Sequence, residues 1–334
     1  MANSSAEQLV PLMTDQQREV VDVLFFAFII NTISTLGSIG NIINILVFTK
    51  QGFQDTVNIS FLALAVSDLG SLVTLIWKGI TAILAAAWPD IPMSLGDVSY
   101  LTAMVPHAMF VRVSWLITSF ITIERCLCVT MPLKVKHVIT ASRTVAAMAL
   151  IYVCVFLGMS PFYIGSSLTS VLDLQTNKTR IVRSFSKESV YYTDSIGHNF
   201  SVSAQFSSIF IDLLSTLVIV RQMQVKWKWR LESTSSGTSD RLSVREKKLV
   251  KMVLAILCVF VACVSPSCAS FLCELVYGWK FGLTGPNYNV FITVCSVIIT
   301  FEAAHSSVNI FIYYNMSAKY QSTFKQIFCK AECK

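Results

Sequence analysis

Glu124 and Arg125 stand side by side near the end of an otherwise apolar run, S-W-L-I-T-S-F-I-T-I-E-R-C-L-C-V-T-M-P-L from Ser114 to Leu133. The run breaks at Pro132, seven residues after the arginine. Such a charge pair at the edge of a lipid-buried helix is costly unless partners or water hold it. The pair therefore reads as functional. Asp68 is a second such residue: in N-I-S-F-L-A-L-A-V-S-D-L, from Asn58, it falls about three helical turns past the polar edge of its segment. A lone carboxylate there is protonated, paired or bound to a cation. A third set, Lys78, His107, Arg112, Trp115, Asp212, Glu274 and Glu302, lies in the middle or outer part of apolar segments. Arg112 and Glu302 would each cost on the order of 2.5–3.5 kcal/mol at mid-bilayer if they faced lipid. They must face an interior, where they either pair with each other or recognise a carboxylate, an amide or a peptide terminus. Lys78 has a further reading, snorkelling to the outer interface.

The elements that position these residues follow from composition. The 334 residues are 54% hydrophobic and 13% charged, with a mean hydropathy of +0.63; a soluble domain is roughly 25% charged. Crossing a hydrocarbon core of ~30 Å takes about 20 apolar residues. Such runs fall near 21–49, 57–87, 100–130, 144–164, 202–226, 247–278 and 288–314. Lipid leaves only helices or closed barrels as spanning structures, so the expected fold is an all-α membrane protein. It would comprise a seven-helix bundle over 21–316, an N-terminal stretch 1–20, and a tail 317–334. Gly37 and Gly40 share one face of the first span and let a neighbouring helix approach, with the Asn41 amide beside them.

Most of the 26 lysines and arginines fall in Lys50–Asp55, Arg125–Arg143, Arg221–Lys251 and the tail after Tyr314. By the positive-inside rule those connections are cytoplasmic and the N-terminus is extracellular. The first residues are net acidic with no short apolar core, so no cleaved signal peptide is expected. Sequons at Asn3, Asn177 and Asn199 then lie outside, where glycans can be added. The net charge of +7 belongs to the inner surface and suits anionic membrane lipid. Nucleic acid is a poor partner for it.

Gly40-Asn41, Leu64-Ala-Val-Ser-Asp68, Glu124-Arg125-Cys126 with Pro132, Phe260-Val-Ala-Cys263-Val-Ser-Pro266 and Asn309-Ile-Phe-Ile-Tyr313 occur in order along the spans. In this the chain resembles the rhodopsin-like (class A) G-protein-coupled receptors over about 21–328. The resemblance implies a multi-pass protein of the plasma membrane that passes an extracellular signal to a heterotrimeric G-protein. It implies a coupling switch at Glu124, Arg125, Asn309 and Tyr313, and a switch in the helix core at Asn41, Phe260 and Pro266. It also implies a sodium pocket at Asp68 and Ser114, completed from span seven by Ser306, with His305 an atypical neighbour.

Several family marks are missing. Cys126 replaces a tyrosine, Val264 a tryptophan and Ile310 a proline. The cysteine expected 25 residues before the arginine is Tyr100, and the connection from about 165 to 200 has no cysteine to pair with it. Most cysteines, from Cys126 to Cys295, sit in or near spans as small hydrophobes, and no structural disulfide is expected. His107 stands where amine receptors need an aspartate, 18 residues before the arginine, and span seven has no lysine for a retinal Schiff base. Amine and retinal ligands are thereby disfavoured. A neuropeptide fits the charged pocket candidates; a small polar chemosensory ligand, as in divergent invertebrate receptors, fits the missing marks.

The third inner connection, about 221–250, is basic around a Ser/Gly-rich run and extends spans five and six. After it, Tyr320, Phe324, Ile327 and Phe328 share one face of an amphipathic helix on the inner surface. Cys329 and Cys333 follow, placed for palmitoylation or left as free thiols. A transporter or channel is the alternative class, but no internal repeat or repeated pore motif occurs. The four histidines are scattered, and no H-E-x-x-H or Gly-x-Ser-x-Gly pattern suggests an enzyme.

Overall fold

The computed structural model describes residues 12–164, 166–173, 178–185, 193–232, 240–277 and 285–329. Among the described residues, seven helices are long and apolar enough to cross a membrane. They are α1 (Asp15–Gln51), α2 (Thr56–Ala87), α3 (Leu95–Thr130), α4 (Ala141–Gly158), α5 (Asn199–Glu232), α6 (Asp240–Tyr277) and α7 (Tyr288–Met316). A shorter α8 (Ala318–Phe328) follows. Large apolar side chains such as Leu36, Leu150, Phe210 and Phe311 line the bundle's outer surface, as lipid contact requires.

Local chemistry sets the helix ends. Thr14 and Gln17 form a capping box, Gln17 N–H to Thr14 Oγ1 at 3.3 Å and Thr14 N–H to Gln17 Oε1 at 3.0 Å. The box starts α1 at Asp15, ahead of the apolar run from 21. Asp55 accepts from the Val57 N–H at 3.2 Å and caps α2, and Ser317 caps α8. Between α1 and α2, Gly52 turns the chain at φ 85°, a conformation that favours glycine.

Contrary to a purely helical expectation, the connection after α4 folds into an antiparallel hairpin. Strand β1 (Ser166–Asp173) pairs with β2 (Lys178–Phe185), in register from Ser166 opposite Phe185 to Asp173 opposite Lys178. The hairpin is tied to the entrance of α3. Ser94 N–H donates to the Ile181 carbonyl at 2.7 Å, Ile181 N–H to the Pro92 carbonyl at 3.0 Å, and Arg183 N–H to Asp97 Oδ2 at 3.2 Å. The nine described cysteines are free thiols.

Two packing features position the site. A Cβ built on Gly37 would lie 2.7 Å from Ser307 Cβ of α7, so only glycine admits this approach of α1 and α7. At the far end, Phe48, Phe61, Tyr313 and Tyr320 stack as one aromatic knot, with centroids 4.8–5.8 Å apart. Inside α6, Pro266 has no N–H for the Ala262 carbonyl. The Ser265 hydroxyl takes that carbonyl instead, at 2.8 Å.

Candidate functional site

The charged and amide residues of the interior fall in three layers. In the first, where α3 ends, Arg125 Nη2 meets Glu124 Oε1 at 2.9 Å. The same oxygen accepts a short hydrogen bond from the hydroxyl of Thr56, the first residue of α2. Both side chains are buried, and among the described residues Glu124 Oε2 and Arg125 Nε take no partner. The clamp is shut but incompletely satisfied. Tyr313 is not part of it, since its ring lies in the aromatic knot and its hydroxyl has no hydrogen bond among the described residues.

In the second layer the carboxylate of Asp68, fully buried, accepts from Ser114 Oγ and from Asn309 Nδ2, each at 2.8 Å. Ser114 Oγ is also 2.8 Å from Ser67 Oγ, and Ser306 faces the same carboxylate. Asn309 thus serves this layer and not the clamp. Asn41 donates to the Gly37 carbonyl at 3.0 Å and to the Ser306 carbonyl at 2.7 Å, tying α1 to α7. One carboxylate and three hydroxyls form an oxygen-rich, singly charged set, which fits a hard monovalent cation. Among the described residues, no cluster of three His, Cys, Asp or Glu forms a further metal site.

The third layer lies toward the hairpin end. Glu302 of α7 accepts from His107 Nε2 at 3.0 Å, and its other oxygen is 3.8 Å from Arg112 Nη1. His107 Nδ1 is 2.9 Å from the Ser71 hydroxyl, and Arg112 Nε donates to Ser201 Oγ at 3.0 Å. The Arg112 guanidinium covers the Trp115 ring at 4.8 Å. Trp115 meets Phe260 edge-on at 6.2 Å, and Phe260 meets His305 at 5.8 Å. The ring contacts therefore run from the charged cluster down to α6. At 3.8 Å the Arg112 contact is beyond hydrogen-bond length, so this guanidinium keeps donors to spare.

The remaining residues lie elsewhere. Lys78 bonds Ser99 Oγ at 3.0 Å and sits over Phe26, apart from the Glu302 cluster. Asn199 begins α5 and is exposed, while Asn3 and Asn177 lie outside the described residues. Cys329 is exposed just past α8, and Cys333 lies outside the described residues. The Tyr320 hydroxyl of α8 donates to Asn44 Oδ1 at 2.6 Å, and burial pushes this phenol above its ordinary range. The hydroxyl partners Thr56, Ser71 and Ser201 carry no sequence signal, because a serine or threonine in a helix usually bonds its own backbone.

Residues 40–313 match the family model of the 7 transmembrane receptor (rhodopsin family). With most of its length matched, the chain belongs to that family, and it is a multi-pass membrane receptor. No curated protein sequence matches it.

Proposed function

We propose that this receptor sits in the plasma membrane with its N-terminus outside and transmits an extracellular ligand's binding to a heterotrimeric G-protein. The observation that carries this reading is the Glu124-Arg125 clamp, closed by Thr56 and buried where α3 ends. A buried guanidinium held by one carboxylate oxygen is a two-state element. A ligand that favours the open arrangement shifts its population, exposing Arg125 between α3, α5 and α6 to the G-protein. The ligand, a peptide or a small polar molecule, is received by His107, Arg112, Trp115 and Glu302. Arg112's spare donors favour a carboxylate or amide group on it. Lys78 is a second contact nearer the mouth.

Asp68, Ser114 and Ser306 would hold a sodium ion, which supplies a charge that favours one packing of α2, α3 and α7. Glycans at Asn3, Asn177 and Asn199, and lipid on Cys329 and Cys333 beside α8, complete the reading. Arg125→Ala tests it: second-messenger output should fall to the untransfected level with surface expression preserved. Undiminished output from that variant excludes the clamp as the coupling switch.

A further inference from the structure

The outer turns of α1 lean across α7. Asn289 Nδ2 donates to the Met13 carbonyl at 2.9 Å and to Asp15 Oδ1 at 3.0 Å, and Ser296 Oγ is 3.4 Å from Asp22 Oδ1. This docking sets Arg18 near Lys78 of α2, with Asp22 between them. Arg18 Nη1 meets Asp22 Oδ2 at 2.9 Å, Lys78 also attracts that carboxylate, and the two cations repel each other. Two positive charges thus share one negative charge. Glu19 does not redress the balance, since it is exposed and 4.0 Å from Arg18 Nη2.

Both cations keep donors in reserve. Arg18 holds Asp22 through Nη1, and among the described residues its Nε, turned away from water, has no partner. The Nε-Nη2 edge of a guanidinium is one that a planar carboxylate can grip with two parallel hydrogen bonds. Lys78 Nζ has one hydrogen-bond acceptor among the described residues, Ser99 Oγ at 3.0 Å, and it lies 5.2 Å over the Phe26 ring. An ammonium carries three donors, so two remain. A buried donor left without an acceptor is costly, and an arriving carboxylate removes that cost while balancing the charge.

The separation of this pair from the Glu302 cluster comes out alike along two helices. On α2, Lys78 is seven residues outward of Ser71, which bonds His107; on α7, Ser296, which meets Asp22, is six residues outward of Glu302. At 1.5 Å per residue both amount to about 9–11 Å. An extended peptide covers that distance in about three residues, at roughly 3.3–3.6 Å each. We propose that Arg18 and Lys78 form an outer seat for a carboxylate, and that the ligand is an extended peptide segment whose carboxylate fills this seat while a group about three residues away reaches Arg112. The inference rests on the reading of His107, Arg112 and Glu302 as ligand contacts, and it selects a peptide over a small polar molecule.

Acetate and N-acetyl-triglycine serve as probes on the purified full chain, read as thermal midpoints. Replacing sodium chloride with sodium acetate at equal ionic strength should raise the midpoint by about 1 °C near half-saturation. Arg18→Gln and Lys78→Gln should each abolish that difference, Arg18→Lys should reduce it by losing the fork, and Arg112→Gln should retain it. N-acetyl-triglycine acid should stabilise more than acetate and more than its own C-terminal amide, and Arg112→Gln should bring the acid down to the acetate level. Each difference is taken within one variant, so a substitution that only weakens the fold lowers both midpoints and leaves the difference unmoved. No acetate shift, or one that survives Arg18→Gln and Lys78→Gln, overturns the outer seat. A tripeptide acid no better than acetate overturns the span between the two seats. None of these readings needs a G-protein: if Arg125→Ala keeps its second-messenger output while the carboxylate shifts follow this pattern, the coupling switch fails and the outer seat stands.

Discussion

The Arg183 guanidinium of β2 lies over the ring of Tyr100 in α3, 3.8 Å from its centroid. Tyr100 stands where the family resemblance leads one to expect a cysteine, and the stack, with the Arg183-Asp97 and Ser94-Ile181 hydrogen bonds, fastens the hairpin without sulfur. A cation over an aromatic face contributes ~0.5–2 kcal/mol. Arg183→Ala should speed deuterium exchange of the β1-β2 amides by roughly that free energy, about two- to thirtyfold. A reductant should leave the parent's exchange unchanged. Equal protection in parent and variant would show that the stack fastens nothing.

Glu302 faces two basic partners at different distances, His107 at 3.0 Å and Arg112 at 3.8 Å. Removing one member of a buried pair costs on the order of 3–5 kcal/mol, so Glu302→Ala should lower the thermal midpoint strongly. In double-mutant cycles the His107-Glu302 coupling should exceed the Arg112-Glu302 coupling. Equal couplings would mean that Arg112 is fully committed to Glu302 and has no donors left for a ligand.

If sodium occupies the Asp68 layer, replacing choline chloride with sodium chloride should raise the receptor's thermal midpoint. Asp68→Asn should remove that difference, because the amide takes away the only formal negative charge among Asp68, Ser67, Ser114 and Ser306. A salt response that survives the substitution would place the ion elsewhere.

Gly37 and Gly40 separate by packing. A methyl group at Gly37 meets Ser307 and Leu72 inside contact distance, whereas at Gly40 the nearest atom is Ile310 Cγ2 at 3.2 Å. Overpacking costs roughly 1–3 kcal/mol. Gly37→Ala should therefore reduce thermal stability and surface yield clearly more than Gly40→Ala. The reverse order would contradict the packing of α1 on α7.

The spans were legible because apolar length alone specifies them, and the Glu124-Arg125 pair, Asp68 and Glu302 stand out because a charge in an apolar helix is conspicuous. Their partners do not stand out. Thr56, Ser71 and Ser201 look like any helical hydroxyl, and only the fold brings them to Glu124, His107 and Arg112. The stretch 166–185 reads as a loop because its serines, threonines and basic residues obscure the strand alternation, and its pairing to Pro92 and Ser94 is long-range. Asp212 groups by type with the mouth residues. The packing of α5 against α3 sets it beside Ser119 and Thr122 instead, and register between two apolar helices cannot be read from either one alone.

The exchange at Pro266 has a mechanical consequence for α6. The ladder is already interrupted there, and the carbonyl that would otherwise be stranded is occupied by Ser265. The segments on either side can pivot about this joint without severing a further main-chain bond. Bending is soft at one point of an otherwise stiff rod, and small displacements against Phe260, six residues away, become larger sweeps at the rod's distant tip.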